Sequence, residues 1–263
     1  MDDAARLRPR APRTLRVEHV MGTVVSIDVR DAEADPHVLD TVVEWLHEVD
    51  ARFSTYREDS EVSRLSRGEL SLGDAHADVR EALALCDEVH ALSHGLFDVW
   101  RGGRLDPSAL VKGWSVERAA LILQLAGLGD FCVNAGGDVL VRGEAAPGEP
   151  WRVGIRHPEE SERVAAVLAM NRGAAATSGL YERGGHIVDP RTGQVASRLL
   201  SVTVVGPSLT YADAFSTAAF AMGADGVRWV AAELPGYDAY AITAEHRAVW
   251  TAGLDALLAP AES

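Results

Sequence analysis

A single lysine stands out in this chain of 263 residues. Of the 25 Lys and Arg residues, only Lys112 is a lysine, and it lies in the segment L-D-P-S-A-L-V-K-G-W. Lysine carries a compact ammonium on a flexible stem, whereas arginine carries a planar guanidinium. In a chain that otherwise uses arginine, this lysine indicates a position that needs an ammonium. The alternative is that one exposed lysine remains by chance.

A second feature is a carboxylate and a hydroxyl one helical turn apart. Asp213 and Thr217 lie in the small, apolar segment A-D-A-F-S-T-A-A-F-A-M, with Ser216 beside them. Residues four apart share one face of a helix. Hard oxygen ligands suit Mg²⁺, which fills its remaining positions with water and substrate phosphate. The alternative is structural: Asp213 caps the first turn, and Thr217 bonds to a carbonyl of the preceding turn.

Two glycines interrupt a strongly apolar stretch. Gly136 and Gly137 lie in F-C-V-N-A-G-G-D-V-L-V, flanked by Asn134 and Asp138. A glycine inside a strand marks either a β-bulge or a place where a ligand approaches the backbone closely. The sequence leaves both interpretations open.

Polar residues and glycines are dense in residues 176–193, which read A-T-S-G-L-Y-E-R-G-G-H-I-V-D-P-R-T-G. The segment includes Ser178 and His186 and ends on the turn signal D-P-R-T-G. His186 could be a buried histidine with satisfied hydrogen bonds. It could instead be a general base, because imidazole titrates near neutral pH.

Helices and strands of mixed order must position these residues. Apolar residues at a period of 3.6, together with capping signals, predict helices. The predicted helices run from Pro36 to Phe53, after Ser60, from Ala77 to Ser93, through Lys112 after the start signal Asp106-Pro107, and from Tyr211 to Met222.

Runs rich in β-branched residues predict the strands. They are Leu15 to Val29 with an interruption at Met21-Gly22-Thr23, Phe131 to Val141, Trp151 to Arg156, Val164 to Met170, Ser201 to Val205 and the region Tyr240 to Thr251. The order lacks βαβ regularity, so we expect an α+β fold of mainly antiparallel sheets backed by helices. We expect one domain over residues 15–258, between a disordered polar tail at 1–14 and a short tail at 259–263.

Composition excludes several classes of protein. A formal net charge of -14 argues against nucleic-acid binding, which needs a basic face. Cys86 and Cys132 lie in apolar runs and are expected to be buried free thiols. The N-terminal residues lack the apolar core of a signal peptide, and no run of 18 apolar residues occurs. We therefore expect a cytoplasmic protein, with possible action at the inner face of the membrane.

Eight motifs in order resemble those of the ApbE family, the FAD:protein FMN transferases. The resemblance spans about Val17 to Gly223, nearly the whole chain. The motifs are M-G-T at 21–23, F-S-T-Y-R-E-D-S-E-V-S-R-L at 53–65, G-L-F-D-V at 95–99, L-D-P-S-A-L-V-K-G-W at 105–114, N-A-G-G-D at 134–138, A-T-S-G-L-Y-E-R at 176–183, H-I-V-D-P-R-T-G at 186–193 and A-D-A-F-S-T-A at 212–218.

The resemblance implies a Mg²⁺-dependent enzyme. Such an enzyme binds FAD, transfers its FMN part to a threonine hydroxyl of an acceptor flavoprotein, and releases AMP. It implies His186 as the base. The implied metal ligands are Asp213 and Thr217, with Ser216 close by and the backbone carbonyl of Ala109. The implied FAD-site residues are Met21, Tyr56, Phe97, Asp98, Asp106, Lys112, Ser178 and Ile187, with Gly136 and Gly137 allowing the backbone to approach the ligand.

The chain departs from the family pattern in two ways, and these departures leave other functions open. Only W-R-G-G-R separates Val99 from Leu105, where most family members carry a longer segment. A wall of the flavin pocket would then be missing. Many members are exported lipoproteins, yet this chain shows no export signal. The alternatives are an FAD pyrophosphatase that yields FMN and AMP with water as nucleophile, and a flavin-binding protein without catalysis. The sequence predicts neither the oligomeric state nor the acceptor.

Overall fold

A computed structural model describes residues 13–32, 34–160, 162–179, 188–189, 194–195 and 198–259. The predicted terminal tails lie largely outside this range, as do His186 and Ile187. No helix in the described part of the chain combines the length and the apolarity needed to cross a lipid bilayer.

Each of the predicted helices is present. The α-helices are α1 (Pro36–Phe53), α2 (Glu61–Ser66), α3 (Ala77–Leu92), α4 (Ser108–Leu125), α5 (Leu209–Met222) and α6 (Ala224–Glu233). Local signals set their starts. The Asp35 carboxylate accepts a hydrogen bond from His37 N before α1, and Ser60 Oγ accepts one from Ser63 N at α2. The helix α6 was not predicted, because its ten residues follow α5 after a single glycine.

Within the described residues, the strands form one large antiparallel sheet and three small hairpins. They are β1 (Thr14–Val20), β2 (Thr23–Val29), β3 (Trp100–Arg101), β4 (Arg104–Leu105), β5 (Phe131–Ala135), β6 (Asp138–Arg142), β7 (Trp151–Arg156), β8 (Val164–Met170), β9 (Arg172–Gly179), β10 (Val188–Asp189), β11 (Gln194–Val195), β12 (Leu199–Gly206), β13 (Asp238–Thr243) and β14 (Ala248–Trp250). The large sheet has the order β1-β2-β5-β6-β9-β12-β13-β14, and β3–β4, β7–β8 and β10–β11 pair separately.

Apolar residues on both faces of the large sheet enter two hydrophobic cores. In β6, Leu140 belongs to the core beneath the helices, whereas Val139 and Val141 belong to the core beneath the β7–β8 hairpin. Alternate residues of a strand point to opposite faces, so a strand covered on both sides is apolar throughout. The expected α+β fold of antiparallel sheets backed by helices is confirmed.

The structure corrects the prediction of one strand over Phe131 to Val141. Residues 136 and 137 connect β5 to β6 as a two-residue hairpin turn, since Ala135 pairs with Asp138. Both glycines have positive φ, 62° and 104°, which a two-residue turn of this kind requires and glycine adopts without strain. The β-bulge interpretation is therefore wrong. The strand β9 was also not predicted.

Candidate active site

The site lies where α4 crosses α5. At the crossing, a Cβ on Gly113 would lie 2.4 Å from the carbonyl oxygen of Leu209, so only glycine allows the two backbones to approach this closely. The Gly113 N–H donates a hydrogen bond of 3.0 Å to Oδ2 of Asp213. This bond fixes the carboxylate, which is almost fully buried, against the segment that carries Lys112.

Three hydroxyl groups cluster one turn further along α5. Ser178, at the end of β9, has its Oγ 2.9 Å from Ser216 Oγ and 3.3 Å from Thr217 Oγ1. All three residues are buried. Ser216 Oγ also donates to the backbone carbonyl of Asp213, at 2.8 Å. The structure thus brings together four residues that the sequence singled out in two separate motifs.

Lys112 enters the same site from α4. Its Nζ lies 2.7 Å from Oδ2 of Asp138 and 3.9 Å from Oδ1 of Asp213. The side chain of Lys112 is 20% exposed and that of Asp138 is fully buried. The lysine is therefore not an isolated surface cation but part of a largely buried group of charges.

Asp138 is a site residue that the sequence prediction missed. It is the first residue of β6, directly after the glycine turn, and its Oδ1 accepts a hydrogen bond from Thr177 N at 3.1 Å. The residues Asp138-Val139-Leu140-Val141 are all buried. A carboxylate within such a stretch is rarely buried unless it is paired. This was the signal in the sequence, although the sequence did not show which residue was the partner.

Two turns meet beside Lys112. Met21, in the β1–β2 turn, has a positive φ of 55°, and its sulfur lies 3.6 Å from Ser115 Oγ, which donates to the Lys112 carbonyl at 2.7 Å. A Cβ on Gly136 would lie 2.3 Å from Thr23 Oγ1. The predicted FAD-site residues Met21 and Gly136 therefore lie in adjacent turns at this end of the sheet.

Four further predicted FAD-site residues, Tyr56, Phe97, Asp98 and Asp106, lie on loops around α2, α3 and α4. Phe97 packs in the main core, where its N–H donates to Ser93 Oγ and its carbonyl contacts His90 Nδ1. Asp98 accepts a hydrogen bond from Trp100 N, and Asp106 accepts one from Ser108 N at the start of α4. Tyr56 is 91% exposed in the turn after α1.

The donor set fits a hard cation that takes most of its ligands from elsewhere. Within the described residues, no three His, Cys, Asp or Glu side chains group so as to hold a metal. The Asp213 carboxylate instead accepts from Gly113 N, and the Asp213 backbone carbonyl accepts from Ser216 Oγ, which belongs to the hydroxyl cluster. Ala109 is in the first turn of α4, four residues before Gly113 and so on the same face of that helix. Oxygen ligands with a single carboxylate suit Mg²⁺, which retains water and binds substrate phosphate.

Comparisons with known proteins give one consistent result. The ApbE family model matches residues 21–103 and 100–241. A Vibrio cholerae protein named FAD:protein FMN transferase is 29% identical over an alignment of 269 residues, which covers 77% of this chain and 79% of that protein. Proteins of the same name from Klebsiella pneumoniae and Treponema pallidum are each 32% identical. These two alignments cover 49% and 67% of this chain, but only 40% and 56% of the relatives.

Solved structures show the same fold. The flavin transferase ApbE from Vibrio cholerae superimposes with a TM-score of 0.82 at 24% identity, covering 94% of this chain and 100% of that chain. The ApbE protein from Thermotoga maritima gives a TM-score of 0.84 at 22% identity, covering 95% of this chain and 100% of that chain.

Proposed function

Because the chain belongs to the ApbE family, we propose that it transfers the FMN part of FAD to a threonine hydroxyl of an acceptor flavoprotein and releases AMP. The observation that carries the proposal is the clustering of Lys112, Asp213, Ser216 and Thr217 at the α4–α5 crossing. An ammonium next to hard oxygen ligands is the arrangement that a pyrophosphate with a bound divalent cation requires.

The proposed reaction is a displacement at phosphorus. The threonine oxygen forms a bond to the phosphorus atom of the FMN part, the bond from that phosphorus to the bridging oxygen breaks, and AMP leaves with that oxygen. Asp213, Thr217 and the Ala109 carbonyl would hold Mg²⁺, with Ser216 beside them. The cation, when bound, neutralises charge on the non-bridging phosphate oxygens. Lys112 would bind the same pyrophosphate by its charge.

The hydroxyl proton needs an acceptor, and His186 is the residue proposed for this role. It lies outside the described residues, so the proposal rests on its motif. Ser178, Met21, Tyr56, Phe97, Asp98, Asp106, Gly136, Gly137 and Ile187 are proposed to line or approach the FAD site. A cytoplasmic location belongs to the same proposal.

The test is an incubation of the purified protein with FAD, MgCl₂ and a candidate acceptor flavoprotein. We expect flavin fluorescence that stays on the acceptor after denaturation, together with one AMP per flavin transferred. Asp213→Ala should lose both the activity and its dependence on Mg²⁺. His186→Ala should still bind FAD but transfer it about 10²–10⁴-fold more slowly.

Other outcomes would contradict the proposal in distinct ways. Free FMN and AMP in equal amounts, with no label on any acceptor, would identify a pyrophosphatase. Bound but unchanged FAD would identify a flavin-binding protein. Wild-type activity of Asp213→Ala at the same Mg²⁺ concentration would exclude the proposed metal site, and unchanged turnover of His186→Ala would exclude that residue as the base.

A further inference from the structure

We propose that Asp138 is a positioning residue that holds the Lys112 ammonium in the orientation needed to bind the FAD pyrophosphate, an inference that rests on the proposed function. Neither the motifs nor the predicted ligand set gives Asp138 a role. Its role follows from its ion pair with Lys112 inside the protein.

Two carboxylates lie within ion-pair distance of the Lys112 ammonium. Lys112 Nζ is closer to Asp138 Oδ2, at 2.7 Å, than to Asp213 Oδ1, at 3.9 Å. The shorter distance is that of a close ion pair, whereas the longer one is only a weaker Coulomb contact. The flexible lysine therefore makes its closer contact with the carboxylate that is not the predicted metal ligand.

The Asp138 carboxylate is itself fixed on the sheet. Its Oδ1 accepts from Thr177 N on β9, and its backbone pairs with Ala135 across the glycine turn. The carboxylate thus uses one oxygen to anchor itself to the sheet and the other to bind the lysine. Because Lys112 is on α4 and Asp138 is on β6, the ion pair connects the helix layer to the sheet within the site.

Without the charge of Asp138, the Lys112 ammonium should pair with Asp213. In Asp138→Asn the amide oxygen can still accept from Thr177 N, but the charge that attracts Lys112 is lost. Asp213 then remains as a carboxylate 3.9 Å from the ammonium. Lys112 should move toward it, away from the pyrophosphate position and into competition with a divalent cation.

The chain offers an unusually clean measurement, because Lys112 is its only lysine. Acetylation by an N-hydroxysuccinimide ester, followed by peptide mass spectrometry, reports on this one side-chain amine apart from the N-terminal amine. Asp238→Asn is a matched control. Asp238 lies on β13 of the same sheet and pairs with Thr251 Oγ1, not with a lysine.

We expect Asp138→Asn to raise the acetylation rate of Lys112 several-fold in protein without ligand. We also expect it to weaken FAD binding, followed by titration in MgCl₂, about tenfold or more, as loss of an orienting partner typically does. The Mg²⁺ concentration needed for half-maximal FAD binding should rise as well. Asp238→Asn should change none of these values.

An unchanged acetylation rate in Asp138→Asn would show that Asp138 does not hold the ammonium. Faster acetylation with unchanged FAD affinity would show an ion pair without a positioning role. Either result overturns the inference while wild-type FAD binding stays intact. Failure of the proposed function appears differently, as a wild-type protein that does not bind FAD at all, and it would remove the positioning role with it.

A measurement on the wild type covers the case in which Asp138→Asn does not fold. Protein labelled with ¹⁵N-lysine has a single side-chain ammonium signal. We expect this signal to persist in water near neutral pH, because an ion-paired ammonium with little exposure exchanges its protons slowly. Loss of the signal to fast exchange in the folded protein would contradict the ion pair.

Discussion

At the scale of single residues, residue type and spacing predicted which side chains lie in the site, but not which of them form an ion pair. The rarity of lysine singled out Lys112, and the spacing of Asp213 and Thr217 placed them on one helix face; the structure brings all three together. The pairing of Lys112 with Asp138 could not be predicted, because it joins residues 26 positions apart on a helix and a strand. Only the packing of α4 on the sheet creates that contact.

The buried pair leads to a prediction about stability. Lys112→Met leaves the Asp138 carboxylate buried without its ammonium. We expect this to lower the free energy of unfolding by about 3 kcal/mol. The value is at the low end for loss of a buried ion-pair partner, because Lys112 is 20% exposed. The double variant Lys112→Met, Asp138→Asn should recover most of this loss, because no unpaired charge remains there. Urea unfolding of the two variants and the wild type measures both effects. Equal destabilisation in the single and double variants would contradict the explanation.

At the scale of elements, periodicity predicted the helices but not the way they cross. The α4–α5 contact depends on Gly113, and α5 is held at its start by Glu117 of α4, which accepts from Ser208 Oγ at 2.7 Å and Thr210 N at 3.2 Å. Both contacts are tertiary, so the pattern within either helix does not reveal them. The glycine turn was not predicted for the same reason, since only the pairing of β5 with β6 distinguishes a turn from a bulge within one strand.

The crossing can be tested by Gly113→Ala. The added Cβ would lie 2.4 Å from the Leu209 carbonyl oxygen and 3.0 Å from Asp213 Cβ, so the helices must move apart. We expect a loss of about 1–3 kcal/mol in the free energy of unfolding. At the proposed metal site, Mg²⁺ binding should weaken, because the Gly113 N–H no longer holds the carboxylate. Gly73→Ala is the control, since a Cβ there meets only Ser71 Oγ at 3.8 Å. A thermal melt in which both variants match the wild type would show that the close approach is unnecessary.

At the scale of the whole molecule, the sheet separates two cores, and a cysteine lies in or against each. Cys86 is in the core beneath the helices, and Cys132 packs against the core beneath the β7–β8 hairpin. The sequence predicted buried free thiols from their apolar neighbours; both cysteines are free, and the structure confirms burial for Cys86 but leaves Cys132 only partly buried. Burial raises the pKa of the Cys86 thiol, and it raises the pKa of Cys132 to about 12.

These raised pKa values predict a loss of stability in alkali. In the unfolded chain a thiol ionises near its ordinary pKa of about 8.5, so above that pH the unfolded state binds fewer protons than the folded state. The protonated thiols therefore make their full contribution to the free energy of unfolding below about pH 8, and this contribution falls as the pH rises toward 12. For Cys132, the free energy of unfolding lost at pH 10 is about 2 kcal/mol. Tyr211 and Tyr237, whose pKa values burial also raises to about 12, contribute in the same direction.

Urea unfolding under reducing conditions at pH 7.5 and pH 10 isolates the contribution of the Cys132 thiol when the wild type is compared with Cys132→Ala. The alanine variant should be less stable at pH 7.5 but lose about 2 kcal/mol less between the two pH values. An identical loss in both proteins would mean that the Cys132 thiolate is accommodated in the fold.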